Sequence, residues 1–274
     1  GRGSDEILLH AALAFLEPDD EVVYAHPSFV MYKFLSTLMG AQQSIVPLRN
    51  YTHDLEAMAA HVTQRTKIVF IANPNNPTGT IVTEPDVRRF LDSLPPDVLV
   101  IFDEAYYEYV DDSAFPRTLD YVREGRSVLV LRTFSKIYGL AGLRIGYGFA
   151  PPEVASYIAR VREPFNVSSI AQVAAEAALM DDEHVEKSRA VINEGKRMLY
   201  MAFDELGLSY VPTQANFIFV DLHRDSREVF QKLLKCGIII RTGDIFGLTT
   251  HARITIGKPE ENERLITALQ EILK

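Results

Sequence analysis

Val128-Leu-Val-Leu-Arg-Thr-Phe-Ser-Lys136 opens on four apolar residues and closes on a lysine. A short apolar run of this kind suits a strand covered on both faces, the environment of a parallel sheet packed between helices. Two runs of the same character stand upstream, Lys67–Ala72 and Val98–Phe102, each followed by polar and turn-forming residues. Working outward, the chain predicts strands at Glu21–Tyr24, Gln43–Val46, Ser127–Arg132 and Ile145–Phe149, and helices at Phe29–Leu38, Leu55–His61 and Glu84–Leu91. Pro85 falls near the first turn of the last helix, where its missing N–H costs little. Apolar runs that alternate with helix-period segments define an α/β body, a mostly parallel sheet flanked by helices.

Pro151-Pro152 halts that alternation. Helices at Glu153–Arg160, Ser169–Met180 and His184–Leu206 follow, then strands at Asn216–Leu222, Ile238–Arg241 and Arg253–Ile256, with helices at Arg227–Leu234 and Glu261–Leu273. This second part reads as a smaller α+β unit. The chain of 274 residues, 47% hydrophobic, is long enough for one large core and a lesser one beside it. The expected division is a large domain over 1–182 and a small C-terminal domain over 183–274. No internal repeat or low-complexity tract interrupts either part.

The charge balance excludes one class of partner. With 28 Lys+Arg against 37 Asp+Glu, the net charge is −9, and no concentrated basic face offers itself to a nucleic-acid backbone. The single cysteine, Cys236, has no internal disulfide partner and reads as a small buried hydrophobe at a helix end, which suits a reducing cytoplasm. No stretch of about 18 apolar residues spans a bilayer and no signal peptide is recognisable, so a soluble cytoplasmic protein without membrane contact is expected. The seven histidines, among them His10, His53 and His251, show no metal-ligand spacing, and no metal is assigned.

Four segments carry the chemistry. In open α/β sheets, ligands gather beyond the carboxyl ends of the strands, where the Lys136 amine would meet a carbonyl; taken alone, a lysine there is an ordinary solvated loop residue. Val98-Leu-Val-Ile-Phe-Asp103-Glu-Ala-Tyr106 ends a second apolar strand on an acid. Asp103 by itself reads equally as a helix cap. At the mouth of a buried strand, however, a carboxylate stays ionised only beside a cation or a donor, and a protonated pyridine nitrogen is one such partner. In Asn73-Pro-Asn75-Asn76-Pro-Thr-Gly79 two prolines stiffen a turn, so the Asn76 amide has a set direction from which to hold a ring oxygen. Gly3-Ser4-Asp5 precedes a helix, whose free N–H groups, with Ser135 and Arg144, can form an anion cup; Asp5 as a plain cap is the simpler local reading. Pyridoxal 5′-phosphate needs an amine, an acid, donors for its ring oxygen and an anion cup together.

Gly3-Ser-Asp-Glu, Asn75-Asn-Pro-Thr-Gly, Asp103-Glu-Ala-Tyr, Thr133-Phe-Ser-Lys and Ala141-Gly-Leu-Arg144, in this order, resemble the motifs of fold-type I pyridoxal-phosphate aminotransferases. Within that superfamily the phrases from Arg132 to Arg144 and from Ala252 to Lys258 are most similar to histidinol-phosphate aminotransferases. The resemblance implies that Lys136 holds the cofactor and later shuttles the substrate's α-proton, and that Asp103 keeps the pyridine nitrogen protonated. Tyr106 and Asn76 would bond the ring oxygen, and Phe29 would stack on the ring where relatives often have tyrosine. The backbone amides of Ser4 and Asp5, with Thr133, Ser135 and Arg144, would bind the phosphate. Arg241 and Arg253 would clamp substrate anions, with Asn216 near them.

The implied reaction takes histidinol phosphate and 2-oxoglutarate to imidazole acetol phosphate and glutamate, a step of histidine biosynthesis. The alternatives are an aromatic amino-acid aminotransferase, a threonine-phosphate decarboxylase, and a non-catalytic ligand-sensing domain of the same fold. Relatives carry a segment ahead of the Gly-Ser-Asp motif that covers the site and lends a tyrosine to the neighbouring subunit. The chain begins at Gly1 and is expected to be part of a homodimeric enzyme that lacks this segment.

Overall fold

A computed structural model describes residues 1–273. The first part of the chain runs α1 (Ser4–Phe15), β1 (Glu21–His26), α2 (Met31–Met39), β2 (Gln42–Pro47), α3 (Leu55–Ala60), β3 (Thr66–Ala72), α4 (Glu84–Ser93), β4 (Leu99–Asp103), α5 (Thr118–Arg123), β5 (Val128–Thr133) and β6 (Gly146–Phe149). Six strands form one sheet in the order β2-β1-β3-β4-β5-β6. Every pairing is parallel except β5 with β6, which is antiparallel.

Alternation along the strands divides the apolar residues between two faces. Leu99, Ile101, Leu129 and Leu131 pack with Leu8, Ala11 and Tyr32, from α1 and α2. Val100, Phe102, Val128 and Val130 pack with Met58, Val87, Phe90 and Tyr121, from α3 to α5. Burying side chains of this size stabilises by roughly 1.5–3 kcal/mol each, which is why the runs are apolar at every position rather than at every second one.

The second part adds α6 (Pro152–Val161), α7 (Ser169–Leu179), α8 (Asp182–Glu205), β7 (Ser209–Val211), β8 (Phe217–Asp221), α9 (Ser226–Lys235), β9 (Arg241–Thr242), β10 (His251–Thr255) and α10 (Pro259–Ile272). Its four strands form an antiparallel sheet, β7-β8-β10-β9. Phe217, Ile218 and Val220 pack there against Leu199 and Phe203 of α8, Leu233 of α9 and Leu269 of α10. Tyr106, Tyr109 and Ile137 from the first part enter the same cluster, so the segments beside Asp103 and Lys136 are anchored in the core of the second.

Several boundaries differ from the sequence reading, each for a local reason. The strand expected at Ile238–Arg241 begins only at Arg241. Gly237, at φ +70°, ends α9 with its N–H on the Leu234 carbonyl and the Ile238 N–H on that of Leu233, so residues 238–240 follow a helix-terminating return instead. Asp5 is not a cap. The N-cap is Gly3, without a side-chain cap bond, and Asp5 lies inside the first turn. Helix α8 begins at Asp182, two residues early, because the Asp181 side chain accepts the His184 N–H at 3.0 Å. The six-residue α5 and three-residue β7 lie below the length at which periodicity is readable.

Gly79 closes the Asn-Pro turn at φ +74°. A β-carbon there would overlap Thr213 Oγ1 and lie 2.7 Å from Thr213 Cβ. Gly79→Ala is therefore expected to cost about 2–4 kcal/mol, from left-handed strain and overpacking together, read as a lower urea midpoint with an unchanged slope.

Candidate active site

The carboxyl ends of β3, β4 and β5 open onto a cavity of about 270 Å³ lined from both parts of the chain. Asp103 is the last residue of β4 and is 5% exposed. The Tyr32 hydroxyl donates to its Oδ2 at 3.1 Å, and its Oδ1 is buried with no partner. Burial is the main cause that pushes this carboxyl from its ordinary 3.8 up to about 6, with the Tyr32 bond opposing. An orphaned carboxylate oxygen facing a cavity calls for a cationic or hydrogen-bonding ligand.

Lys136 lies three residues beyond β5, in the turn that leaves the sheet. Its Nζ stands 5.3 Å from the centre of the Tyr106 ring. Burial is the main cause lowering its pKa; Arg253 and Arg144 act in the same direction, and Asp103 and Asp5 oppose them. A lysine so placed holds more of the neutral, nucleophilic amine at neutral pH. Tyr106 is 6% exposed, packs edge-on against Phe217 at 5.0 Å, and has its phenol pushed up to about 12, chiefly by burial.

The anion cup sits at the start of α1. Gly3 holds φ +75°, and a β-carbon on it would meet Arg144 Nη2 at 2.8 Å. Gly146 is as tightly constrained: its β-carbon would lie 2.6 Å from the Ser4 nitrogen. Two backbone bonds between Gly1 and Gly146, each 3.0 Å, tie this end of the helix to β6. Arg144 donates from Nη1 to Ser135 Oγ at 3.4 Å and to the Ala141 carbonyl at 3.0 Å. The Thr133 hydroxyl donates to Ser135 Oγ at 3.0 Å. Free first-turn N–H groups, two hydroxyls and a guanidinium thus converge where a phosphate fits.

On the opposite side Asn76 faces Arg253, whose Nη1 donates to Asn76 Oδ1 at 2.6 Å. A guanidinium has no acceptor, so this contact orients the amide and leaves its NH₂ free. Arg253 and Arg241 stand directly opposite one another in the β9–β10 register. Like charges so paired destabilise a sheet unless an anion lies between them, and Arg253 Nε is buried without a partner. Both arginines line the cavity, as do Phe29, Ile245 and Phe246.

Twelve of the thirteen site residues expected from the sequence therefore wall one cavity: Ser4, Asp5, Phe29, Asn76, Asp103, Tyr106, Thr133, Ser135, Lys136, Arg144, Arg241 and Arg253. Asn216 is not among its lining residues; its carbonyl accepts the Ile256 N–H at 2.9 Å, extending the pairing of the two central strands, β8 and β10, of the second sheet. Tyr32, the partner of Asp103, was not anticipated. It is fully buried, stacks on Phe70 at 4.7 Å and meets Phe29 edge-on at 5.8 Å.

An amine, an acid with a vacant oxygen and an anion cup on the carboxyl edge of a parallel sheet define a class of protein, an enzyme built around a phosphorylated carbonyl cofactor. A model of the aminotransferase class I and II family matches residues 1–269. Histidinol-phosphate aminotransferase of Moorella thermoacetica is 58% identical over 274 residues, all of this chain and 71% of that protein. The enzyme of the same name from Brevibacillus brevis is 50% identical over 273 residues and 75% of its length. Among solved structures, histidinol-phosphate aminotransferase of Sinorhizobium meliloti in complex with pyridoxal-5′-phosphate superposes with a TM-score of 0.94 at 30% identity, over all of this chain and 75% of that one. The chain belongs to the aminotransferase class I and II family. It is a pyridoxal-phosphate-dependent transaminase, with the α/β fold of the fold-type I enzymes.

Proposed function

We propose that this chain transfers the amino group of histidinol phosphate to 2-oxoglutarate, giving imidazole acetol phosphate and glutamate. The observation that carries the reading is 58% identity over every residue of the chain to an enzyme of that name. The pair Arg241 and Arg253 supports it chemically, because two forked guanidiniums match a phosphate in one half-reaction and a carboxylate in the other.

Pyridoxal phosphate, when bound, supplies a carbonyl carbon and a ring that withdraws electrons from the substrate's α-carbon. The chain's own residues do the rest. Asp103, whose Oδ1 has no partner and whose Oδ2 accepts from Tyr32, would hold the ring nitrogen protonated. The Asn76 NH₂ and the Tyr106 hydroxyl would bond the ring oxygen, and Phe29 would stack on the ring. The backbone N–H groups of Ser4 and Asp5, with the Thr133 and Ser135 hydroxyls and the Arg144 guanidinium, would hold the phosphate. Lys136 would supply the amine that holds the cofactor through its carbonyl carbon, with loss of water, and its freed amine would take and return the substrate's α-proton.

Purified protein assayed with 2-oxoglutarate against histidinol phosphate, phenylalanine and threonine phosphate is expected to form glutamate from histidinol phosphate alone. Glutamate from phenylalanine in preference would make this an aromatic transaminase, and carbon dioxide from threonine phosphate a decarboxylase. Arg253→Lys keeps the charge but loses the fork. It is expected to raise the KM for 2-oxoglutarate by about tenfold or more, roughly the worth of one charged hydrogen bond, in steady-state kinetics.

The same reading takes the protein to be a cytoplasmic homodimer with its domain boundary at the start of α8, near residue 182. Among the described residues no helix is long and apolar enough to cross a membrane. Exposed Phe34 and Leu38 on α2 and Ile170 and Val173 on α7 are apolar surface of the kind a second copy covers. Sedimentation velocity giving twice the chain mass is the expected result.

A further inference from the structure

Behind the cavity, on the other face of the sheet, lies a polar contact with no part in the chemistry above. Along β4 the side chains alternate, Ile101 and Asp103 to the face of α1 and α2, Phe102 and then Glu104 to the face of α4 and α5. Arg132 follows Val130 on that second face of β5. Glu104 is fully buried. Its Oε2 accepts from Arg132 Nε at 2.9 Å and lies 2.9 Å from Nη2 as an ion pair, and its Oε1 accepts from the Thr118 hydroxyl at 2.6 Å. The Glu104 N–H donates to the Leu131 carbonyl at 2.9 Å, prolonging the β4–β5 pairing past the end of β4. Arg132 also lies flat over the Tyr107 ring, 3.3 Å from its centre.

We propose that the Glu104–Arg132 pair positions the reactive lysine: it clasps the carboxyl ends of β4 and β5 from behind, and so sets Lys136 against Asp103. Glu104 adjoins Asp103 in sequence and Arg132 is four residues from Lys136, so each half of the clasp is attached to one of the groups it places. Burial pushes the Glu104 carboxyl up to about 7, and the Arg132 fork opposes that rise. A buried pair of this kind adds little net stability but is costly to break on one side, a balance that fits a device retained for geometry.

The inference rests on Lys136 being the reactive amine, and its test needs no cofactor. In the cofactor-free chain, acetylation of Lys136 by acetic anhydride is followed against pH by peptide mass spectrometry. The charged and titratable groups that face it are Asp103 on β4, Tyr106 just beyond β4, Asp5 on α1, Arg144 before β6 and Arg253 on β10. Glu104→Gln replaces the charged acceptor of Arg132 by a neutral amide, so the strand ends part, Lys136 moves away from the Asp103 carboxylate that supports its charge, and its midpoint is expected to fall by about half a pH unit or more. The limiting rate at high pH is expected to rise about threefold or more as the strand ends part. Thr118→Val removes only the hydroxyl that holds Glu104, changes no charge, and is expected to raise the limiting rate in the same sense. It decides the question should Glu104→Gln not fold. Lower melting temperatures with the Lys136 midpoint and limiting rate both unchanged would overturn the proposal and leave the pair a purely structural one. An absence of glutamate formation would instead strike the transaminase reading and leave this result standing.

Discussion

Lys136→Ala is expected to remove the visible absorbance of protein-linked cofactor and to lower glutamate formation by at least about 10⁴-fold, since one side chain supplies both the covalent attachment and the proton transfer. The fold should survive. Lys136 is partly buried and its amine is already pressed toward neutrality, first by burial and then by Arg253; deleting it removes an awkward cation rather than a core contact. Asp103 and Asp5 lose a neighbouring positive charge, but Arg144 remains beside Asp5 at 3.9 Å. Circular dichroism and melting temperature close to those of the parent chain are the expected companions of the lost absorbance. Borohydride reduction followed by peptide mapping reads the attachment directly. In the parent chain the reduced cofactor mass should sit on the Lys136 peptide; a reducible adduct that persists in Lys136→Ala would place the attachment on another residue and remove the basis of the mechanism.

Asp103 stood out in the sequence because it ends an almost uninterrupted apolar run, whereas Lys136, an ordinary loop lysine by itself, gained its reading only from the acid, the turn and the anion cup that accompany it. Arg144 and the Gly3–Asp5 segment were legible as types suited to anions, although the reason they meet, two glycines at positions 3 and 146 that admit no side chain, appears only in three dimensions. The parallel sheet followed from uninterrupted apolar runs. What stayed hidden was long-range pairing. Tyr32 reaches Asp103 across 71 residues, and nothing in Phe29-Val-Met-Tyr32 separates a phenol aimed at a carboxylate from one that caps a core. Glu104 beside Asp103 reads as a second loop acid until its partner Arg132 is seen. Asn216 stands apart from the other twelve: it does not line the cavity, and its backbone joins the second sheet. The misplaced start of β9 was readable after all, since Gly237 directly after an amphipathic helix announces the return that delays the strand.

Asp103→Asn is expected to act with opposite signs on the empty and the loaded protein. In the empty chain the Asp103 carboxyl is fully buried and pushed from 3.8 to about 6 by that burial. The folded state therefore binds more protons than the unfolded state between those two values. Stability contributed by this group falls as the pH rises through that window and stays low above it. Glu104 and Glu108, both pushed up to about 7 mainly by burial, act in the same sense. Asparagine carries no charge to bury, and its Oδ1 still accepts the Tyr32 hydroxyl, though its NH₂ is left without a partner. The net expectation at neutral pH is a cofactor-free Asp103→Asn protein more stable than the parent by about 1–2 kcal/mol, with the advantage gone near pH 4. The loaded protein should reverse this. A protonated ring nitrogen supplies the cation that the vacant Asp103 Oδ1 lacks, so cofactor binding stabilises the parent more than the variant. Without the carboxylate the ring nitrogen loses its proton and much of its hold on electrons, and glutamate formation should fall by about 10³-fold. Urea denaturation of the parent and the variant, each with and without pyridoxal phosphate at pH 4.5 and 7.5, gives the whole comparison. A variant less stable than the parent when empty at pH 7.5 would mean that Asp103 is already satisfied in the empty site, and the acid's assignment to the ring nitrogen would lose its physical ground.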